Sequence, residues 1–213
     1  MLSDEEYKNT TLAMLHNDEE RTKYFLGHFP RFAKQKAMFE KYLNFDPAAR
    51  VLDCGTSFPF ASWYLNELFE CSVWYTCIDI GTSEVSLKVK GYFSNVIFDE
   101  IPREYYDLVI CTEMLEHLAC NLYPIRDKLI AAVKPGGYLL VSYPLRGENA
   151  KDYDKDIPGY DFNKSNTLHV REFTMETAEG FIALPVIEKH IVFTEAYRGN
   201  IYQFLYRKLW PGS

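Results

Sequence analysis

The sequence predicts a doubly wound α/β domain, with one mostly parallel sheet of seven strands and helices on both of its faces. The first observation behind this is that short apolar segments, rich in β-branched and aromatic residues, alternate along the chain with segments of helical periodicity. The second is that the strand candidates are apolar nearly throughout, as strands covered on both faces are. The third is the length, because 213 residues suit one domain with a sizeable core.

The strand and helix candidates follow one another in regular order. Seven segments carry the strand pattern, namely 50–54, 73–80, 95–98, 106–111, 138–143, 186–194 and 200–207. Helical patterns fall at 1–45, 61–69, 126–133 and 174–183. A turn at Arg198-Gly199-Asn200 separates the last two strand candidates, and such a hairpin makes the final strand antiparallel to the others.

Two segments are predicted to flank the sheet within a single domain, 1–213. Residues 1–45 form an N-terminal helical cap, which begins at an acidic segment and ends where Asp46-Pro47 breaks the helical pattern. Residues 144–168 are polar and lack periodicity, which is typical of a substrate loop or lid, with a solvated insertion as the alternative.

Charge and composition restrict the partners. Lys and Arg number 23 against 30 Asp and Glu, a net charge of −7 without a basic stripe, which argues against nucleic acid. No apolar segment approaches the ~20 residues that span a bilayer, and the acidic N-terminus lacks a signal-peptide pattern. The five cysteines have no metal-finger spacing and suit reduced thiols. We expect a cytoplasmic protein without a membrane role, and a homo-oligomer stays open.

Site candidates are the residues that directly follow the strands. In open parallel sheets, ligands bind beyond the carboxyl ends of the strands, at the point where the strand order reverses. Gly55 follows the first strand candidate and permits a tight turn and a close approach of the backbone to a ligand. Asp79 ends the second strand candidate, where a carboxylate can accept hydrogen bonds from both hydroxyls of a ribose.

Five motifs in order resemble class I S-adenosylmethionine-dependent methyltransferases, a Rossmann-like family. They are Val51-Leu52-Asp53-Cys54-Gly55, Cys77-Ile78-Asp79-Ile80, Tyr106-Asp107-Leu108-Val109-Ile110, Glu113-Met114-Leu115-Glu116-His117-Leu118 and Lys134-Pro135-Gly136-Gly137. The resemblance spans residues 50–145. In one departure, the family's loop after the first strand carries two or three glycines, whereas here Gly55 is followed by Thr56 and Ser57. The hydroxyls of Thr56 and Ser57 would lie where other members of the family have only backbone groups.

The resemblance implies S-adenosylmethionine as the cofactor and assigns its contacts. Asp79 would hold the ribose diol, and Ile80 would lie against the adenine. Further residues would line the methionine and ribose portions, the adenine edge and the methionine end. The implied cofactor-binding residues are Asp53, Gly55, Thr56, Ser57, Asp79, Ile80, Phe98, Asp99, Thr112, Glu113 and Met114.

Acids and histidines after the fourth strand candidate suggest the chemistry. Glu113, Glu116 and His117 are spaced i, i+3 and i+4, which puts them on one face of a helix. Together with His169 they resemble the metal site of 3′-terminal RNA 2′-O-methyltransferases, which implies a divalent metal held by all four residues. Alternatively, His117 or His169 is a general base that acts near neutral pH, with Glu116 facing the substrate. A third alternative leaves both histidines structural.

The expected activity is methyl transfer to a small polar acceptor. The chain is similar to methyltransferases of surface-polysaccharide and natural-product pathways, which implies O-methylation of a sugar or a related precursor. One rival is a metal-dependent RNA 3′-terminal 2′-O-methyltransferase, which the acidic balance disfavours. Another is a nicotinamide-dependent oxidoreductase, which would need a fuller Gly-x-Gly-x-x-Gly turn. The third is a non-catalytic binding module that keeps the fold, against which Asp79 argues.

Overall fold

The computed structural model describes residues 2–15, 18–43, 48–55, 64–65, 72–76, 100–144, 173–194 and 199–212. Its helices are α1 (Asp4–Met14), α2 (Glu19–Tyr42), α3 (Leu122–Ala132) and α4 (Met175–Phe181). Its strands are β1 (Arg50–Cys54), β2 (Ser72–Thr76), β3 (Tyr106–Thr112), β4 (Val133–Pro144), β5 (Val186–Thr194) and β6 (Gly199–Arg207). The strand predicted at 95–98, nearly all of the loop 144–168 and most of the helix 61–69 lie outside the described residues.

The described strands form one mixed sheet in the order β2-β1-β3-β4-β6-β5. β1 pairs in parallel with β2 and β3, and β3 pairs in parallel with β4. β6 is antiparallel to both β4 and β5, so it alone runs against the others. The mostly parallel sheet and its antiparallel last strand are therefore confirmed. The chain leaves β1 toward β2 and later returns to its other side as β3, which makes the β1–β3 boundary the switch point.

Both faces of the sheet are covered. Because side chains alternate along each strand, successive residues of a strand contribute to the cores on opposite faces. On one face, Leu52, Val109 and Leu139 pack in the same core as the buried residues of α3 and α4. On the other face, the alternate strand residues pack against α2 and α1. That second core includes Phe32, Met38, Phe39, Val51, Leu108, Ile110 and Leu140. The helical pattern at the N-terminus thus supplies α1 and α2 to the layer that covers this face.

The direction of α2 follows from contacts at its two halves. Arg31 lies 3.6 Å from the carboxylate of Glu113, which directly follows β3. The Tyr42 hydroxyl, at the last residue of α2, donates to the carbonyl of Ile187 near the start of β5, at 3.5 Å. The helix therefore runs from the carboxyl edge of the parallel strands to their amino edge. Its first half brings charged and aromatic side chains to the edge where ligands bind in such sheets.

Local signals account for the ends of the helices. In α1, the Ser3 side chain accepts from the backbone of Glu6 while the Glu6 carboxylate accepts from the Ser3 backbone, a capping box. Asn121 caps α3 by accepting from the Tyr123 N–H at 3.0 Å, so this helix begins four residues before the predicted start at 126. Among the described helices, none is both long and apolar enough to cross a membrane.

The segment Lys134-Pro135-Gly136-Gly137 belongs to β4 rather than to a free turn. It interrupts the regular register between β3 and β4. Gly136 has a φ of 80°, and its N–H donates to the Lys208 carbonyl at 2.7 Å, while the Lys208 N–H donates to the Gly137 carbonyl at 3.0 Å. The segment is therefore an irregular strand start that is tied to the chain after β6.

Candidate active site at the carboxyl edge of the sheet

A glycine turn leaves β1 at the switch point. Gly55 follows Cys54 with a φ of 78°, a conformation that side chains disfavour. A Cβ on Gly55 would lie 2.5 Å from the Cγ of Met114, which is fully buried just after β3. The position therefore requires glycine both for its backbone angle and for its close approach to Met114. Two residues that the resemblance places at the cofactor are in fact in direct contact.

Glu113, directly after β3, is held by partners from two other elements, β4 and α2. Its φ of 52° is left-handed, which costs a non-glycine residue about 1–2 kcal/mol. Its N–H donates to the Ser142 carbonyl at 3.3 Å, and the Ser142 hydroxyl donates to Glu113 Oε1 at 2.7 Å. Arg31 Nη1 lies 3.6 Å from the same oxygen, and the Glu113 side chain is only 5% exposed. Glu113 Oε2 is buried without a hydrogen-bond partner among the described residues.

Glu116 is a second buried acid beside Glu113. It lies in a single 3-10 turn, Leu115–His117, and neither carboxyl oxygen has a hydrogen-bond partner in the described part of the chain. Burial raises the pKa of Glu116 well above 4.5, and the nearby charge of Glu113 raises it further. Burial also raises the pKa of Glu113, but Arg31 and the Ser142 hydroxyl oppose the rise. Of the two acids, Glu116 therefore has the stronger tendency to keep its proton.

The expectation of one helical face for Glu113, Glu116 and His117 is wrong. Glu113 precedes the 3-10 turn in a left-handed conformation, and the turn is only three residues long. His117 Nε2 lies 3.7 Å from Glu116 Oε1, and the His117 side chain is 23% exposed. Within the ranges that the structure describes, no three His, Cys, Asp or Glu side chains form a group that could hold a metal ion. His169, the fourth residue of the predicted metal set, lies outside those ranges.

Arg31 connects the N-terminal layer to the acids, and motif analysis missed this role. Its guanidinium is buried, stacks on Phe32 at 4.6 Å and donates from Nη2 to the Tyr24 hydroxyl at 3.1 Å. His28 lies one turn earlier, with its ring 4.3 Å from that of Tyr24. Burial, reinforced by the Arg31 charge, lowers the pKa of His28 to about 3, so this histidine is neutral. No sequence signal links Arg31 to Glu113, because the two are far apart in the chain.

The remaining predicted cofactor residues fall into two groups. Asp53 is buried in β1 on the same face as Val51, and Thr112 is partly buried and opposite Ser142 in the sheet. Thr76, the last residue of β2, pairs with Cys54, so β2 ends at the same edge as β1. The predicted site residues outside the described part of the chain are Thr56, Ser57, Asp79, Ile80, Phe98, Asp99 and His169.

The fold and this edge define a class of protein. A doubly wound sheet with a glycine turn at its switch point and buried acids after the neighbouring strand is a Rossmann-like ligand-binding domain. A family model described as a methyltransferase domain matches residues 26–179, which is most of the chain. The chain belongs to this family, and the class I S-adenosylmethionine-dependent methyltransferase class that the motifs predict is confirmed.

Solved structures with the same fold include enzymes of several activities. The Burkholderia thailandensis 1,6-didemethyltoxoflavin-N1-methyltransferase aligns with a TM-score of 0.63 at 14% identity, over 99% of this chain and 92% of its own. The Haemonchus contortus phosphoethanolamine N-methyltransferase 2 aligns with a TM-score of 0.62 at 12% identity, over 99% of this chain and 61% of its own. The [4+2]-cyclase SpnF aligns with a TM-score of 0.61 at 12% identity, over 84% of this chain and 80% of its own.

At such low identities these likenesses show the fold alone, and the cyclase illustrates that one fold carries different chemistries. No curated protein sequence matches the chain.

Proposed function

We propose that the protein transfers a methyl group from S-adenosylmethionine to a small polar metabolite. The observation that carries the proposal is the contact of Gly55 with Met114 at the switch point. At this contact the glycine turn after β1 meets the residue that follows Glu113 after β3. The turn therefore lies close to the segment that carries the buried Glu113 carboxylate. The family match supports the reaction class, and the small-molecule class of acceptor agrees with the net charge of −7 and with a cytoplasmic enzyme.

The residues present fit the cofactor. S-adenosylmethionine offers hydrogen-bond donors in its ammonium group and its ribose hydroxyls, and Glu113 Oε2 is a buried acceptor without a partner among the described residues. We assign the cofactor to Asp53, Gly55, Thr112, Glu113 and Met114, together with the sequence-predicted Thr56, Ser57, Asp79, Ile80, Phe98 and Asp99. When bound, its sulfonium supplies an activated methyl group, while the protein aligns the acceptor and excludes water.

The finer proposal is O-methylation of a sugar or a related precursor, with His117 as the base. A hydroxyl acceptor needs a group that removes its proton, and His117 combines partial exposure with a buried carboxyl 3.7 Å from its Nε2. A divalent metal held by Glu113, Glu116, His117 and His169 is the alternative way to activate a hydroxyl. We also assign residues 95–98 to a seventh strand, on the strength of the sequence pattern.

The first experiment is calorimetric titration with S-adenosylhomocysteine. We expect wild-type protein to bind at micromolar or lower concentration and Asp79→Ala to bind at least about tenfold more weakly, because a ribose hydrogen bond to a carboxylate contributes about 1.5–3 kcal/mol. Asp127→Ala, which removes an exposed carboxylate from α3, is the matched control and should bind like wild type. Absence of binding to folded wild-type protein would overturn the proposal.

An acceptor screen then tests the finer proposal. Sugars, amines and nucleic acid are offered with S-adenosylmethionine, with and without EDTA. With His117 as the base, His117→Gln lowers hydroxyl methylation about 10²–10⁴-fold and EDTA has no effect. Activity that is lost in EDTA and restored by Mg²⁺ or Mn²⁺ would instead show that a metal, rather than His117, activates the hydroxyl. Methylation of amines alone would contradict the O-methyl assignment and leave the methyltransferase assignment intact.

A further inference from the structure

The strand β5 forms one end of the sheet and has a neighbouring strand on one side only. It pairs with β6 on its inner side, and no other described strand pairs with it on its outer side. Its register with β6 is regular from Glu188 to Thr194, after an irregularity at the start of the strand, and this stretch contains no proline. The strand therefore presents a regular backbone edge to which a further strand could bond.

Apolar side chains are exposed beside this edge. Ile191 and Phe193 lie on the same face of the sheet, and each is 58% exposed. Ile191 pairs with Tyr202 of β6, whose hydroxyl donates to the sulfur of Met175 at 2.6 Å. Met175, at the start of α4, is itself 53% exposed. Charges, prolines and bulges usually protect the edge strands of natural sheets, so exposed apolar side chains on a regular edge indicate an interaction surface.

The charged side chains of β5 already have partners within the chain. Lys189 Nζ lies 2.8 Å from the carboxylate of Glu179 in α4, and the Glu188 carboxylate lies 2.6 Å from Lys41 Nζ in α2. The strand carries one acid and one base, so it is neutral in a chain with a net charge of −7. Such a net charge makes two copies of the chain repel each other, and the repulsion is weakest where a surface carries no excess charge.

The strand is also complementary to itself in an antiparallel arrangement. A two-fold axis at Ile191 places this residue opposite its own copy and places Lys189 opposite Phe193 of the second copy. The exposed residues of the strand, Lys189, Ile191 and Phe193, then pair only with one another. No charged residue faces a like charge, and an ammonium group beside an aromatic ring is attracted to it.

We propose that the protein forms a homodimer in which β5 pairs in an antiparallel manner with β5 of a second copy. The two sheets join into one continuous sheet, with Ile191 at the two-fold axis. Pairing over Glu188–Thr194 of both copies supplies about six to eight backbone hydrogen bonds. The proposal does not depend on methyl transfer, because the candidate cofactor residues follow β1, β2 and β3 and none of them lies on β5.

The first test is sedimentation velocity of the full chain over a range of micromolar concentrations. We expect a reversible equilibrium between monomer and dimer. Ile191→Lys places two positive charges opposite each other at the axis, so it should weaken the dimer at least about tenfold. Leu26→Lys is the matched control and should dimerise like wild type, because it makes the same change at a 44% exposed residue of α2.

Hydrogen exchange then tests whether β5 is the interface. As the concentration rises through the monomer–dimer transition, the backbone amides of β5 that face outward should exchange more slowly. The amides of β6 should not change, because β6 is already paired with strands on both of its sides.

Three results would overturn the proposal. Wild-type protein that stays monomeric at millimolar concentration would leave the edge of β5 to a different partner. A dimer that Ile191→Lys and Leu26→Lys weaken equally, with both variants folded by circular dichroism, would show a general effect of the added lysine. A dimer that forms without any change of exchange in β5 would have its interface elsewhere.

Discussion

Two neighbouring residues of the site, Gly55 and Glu113, both adopt left-handed backbone conformations. For glycine the conformation costs little, whereas for glutamate it has to be stabilised by the surroundings. The Ser142 hydroxyl, the Ser142 carbonyl and Arg31 supply these contacts for Glu113. The left-handed backbone of Glu113 is therefore stabilised by these contacts and not by the conformational preference of glutamate.

Gly55→Ala should destabilise the fold and weaken S-adenosylhomocysteine binding. The new Cβ would meet Met114 at 2.5 Å and impose a φ of 78° on alanine, so we expect a loss of about 2–4 kcal/mol in the free energy of unfolding in urea. Gly180→Ala in α4 is the control, since nothing lies within 4 Å of its added Cβ and alanine favours the helix by about 1 kcal/mol. Equal effects of the two substitutions would contradict this account of Gly55.

Glu116 should make the protein less stable as pH rises. Its pKa is raised in the folded state, so folded protein binds the proton more strongly than unfolded protein. The contribution is fully present below the ordinary pKa of 4.5 and is lost as pH rises from there toward the folded pKa. Glu116→Gln keeps a neutral group at every pH. We therefore expect the stability of this variant relative to wild type to increase from pH 5 to pH 9 in urea titrations.

The matched control is Glu100→Gln, which changes an exposed acid. Its stability relative to wild type should stay nearly constant over the same pH range. A constant difference for Glu116→Gln as well would show that Glu116 is already ionised in the folded protein.

Among the secondary-structure elements, α2 has two functions along its length. Its second half packs Met38 and Phe39 into the core of the sheet, whereas its first half brings Arg31 to the acids at the carboxyl edge. Any movement of this helix therefore changes the surroundings of Glu113. At the far side of the sheet, β5 is an edge strand that exposes Ile191 and Phe193, in contrast to the covered strands β1 and β3.

His28 should make α2 sensitive to acid. Its pKa is lowered from 6.5 to about 3, so its stabilising neutral form is complete above pH 6.5 and is lost as pH falls toward 3. A lowering of the pKa by this amount corresponds to a loss of about 5 kcal/mol in the free energy of unfolding between pH 6.5 and pH 3. His28→Phe should remove much of the decrease in unfolding free energy between pH 6.5 and pH 4. An unchanged dependence of the unfolding free energy on pH in His28→Phe would exclude His28 as the source of the decrease.

In the whole molecule, the sheet separates two different edges. The carboxyl edge combines the glycine turn with buried acids, and the amino edge opens into a cavity of about 600 Å³. α2 spans both edges, because Arg31 reaches the acids and Tyr42 lines the cavity at the other end.

Cofactor binding should stabilise the entire domain. A ligand present at a thousand times its dissociation constant adds about 4 kcal/mol to the free energy of unfolding. For a domain of this size that corresponds to a rise of roughly 8–16 °C in the melting temperature. We expect this shift with S-adenosylhomocysteine in differential scanning fluorimetry, and a much smaller one in Asp79→Ala at the same concentration. Wild-type protein that melts cooperatively without any shift would contradict cofactor binding.

Much of the fold could be predicted from local patterns. The strand candidates 50–54, 106–111, 186–194 and 200–207 correspond closely to β1, β3, β5 and β6, because the period of apolar residues and the intervening turns are properties of short segments. The antiparallel last strand followed from one hairpin turn. The methyltransferase class followed from five ordered motifs that the family match bears out.

The environment of the acids could not be predicted in this way. The spacing of Glu113, Glu116 and His117 indicated a shared helix face, but the left-handed residue after β3 and the single 3-10 turn separate them. The ion pair of Glu113 with Arg31, the burial that raises the pKa of Glu116 and the cavity at the amino edge each depend on segments that are distant in the chain. Periodicity reports which face of an element is buried, whereas burial, pKa and charge balance depend on which side chains the packed layers bring into contact.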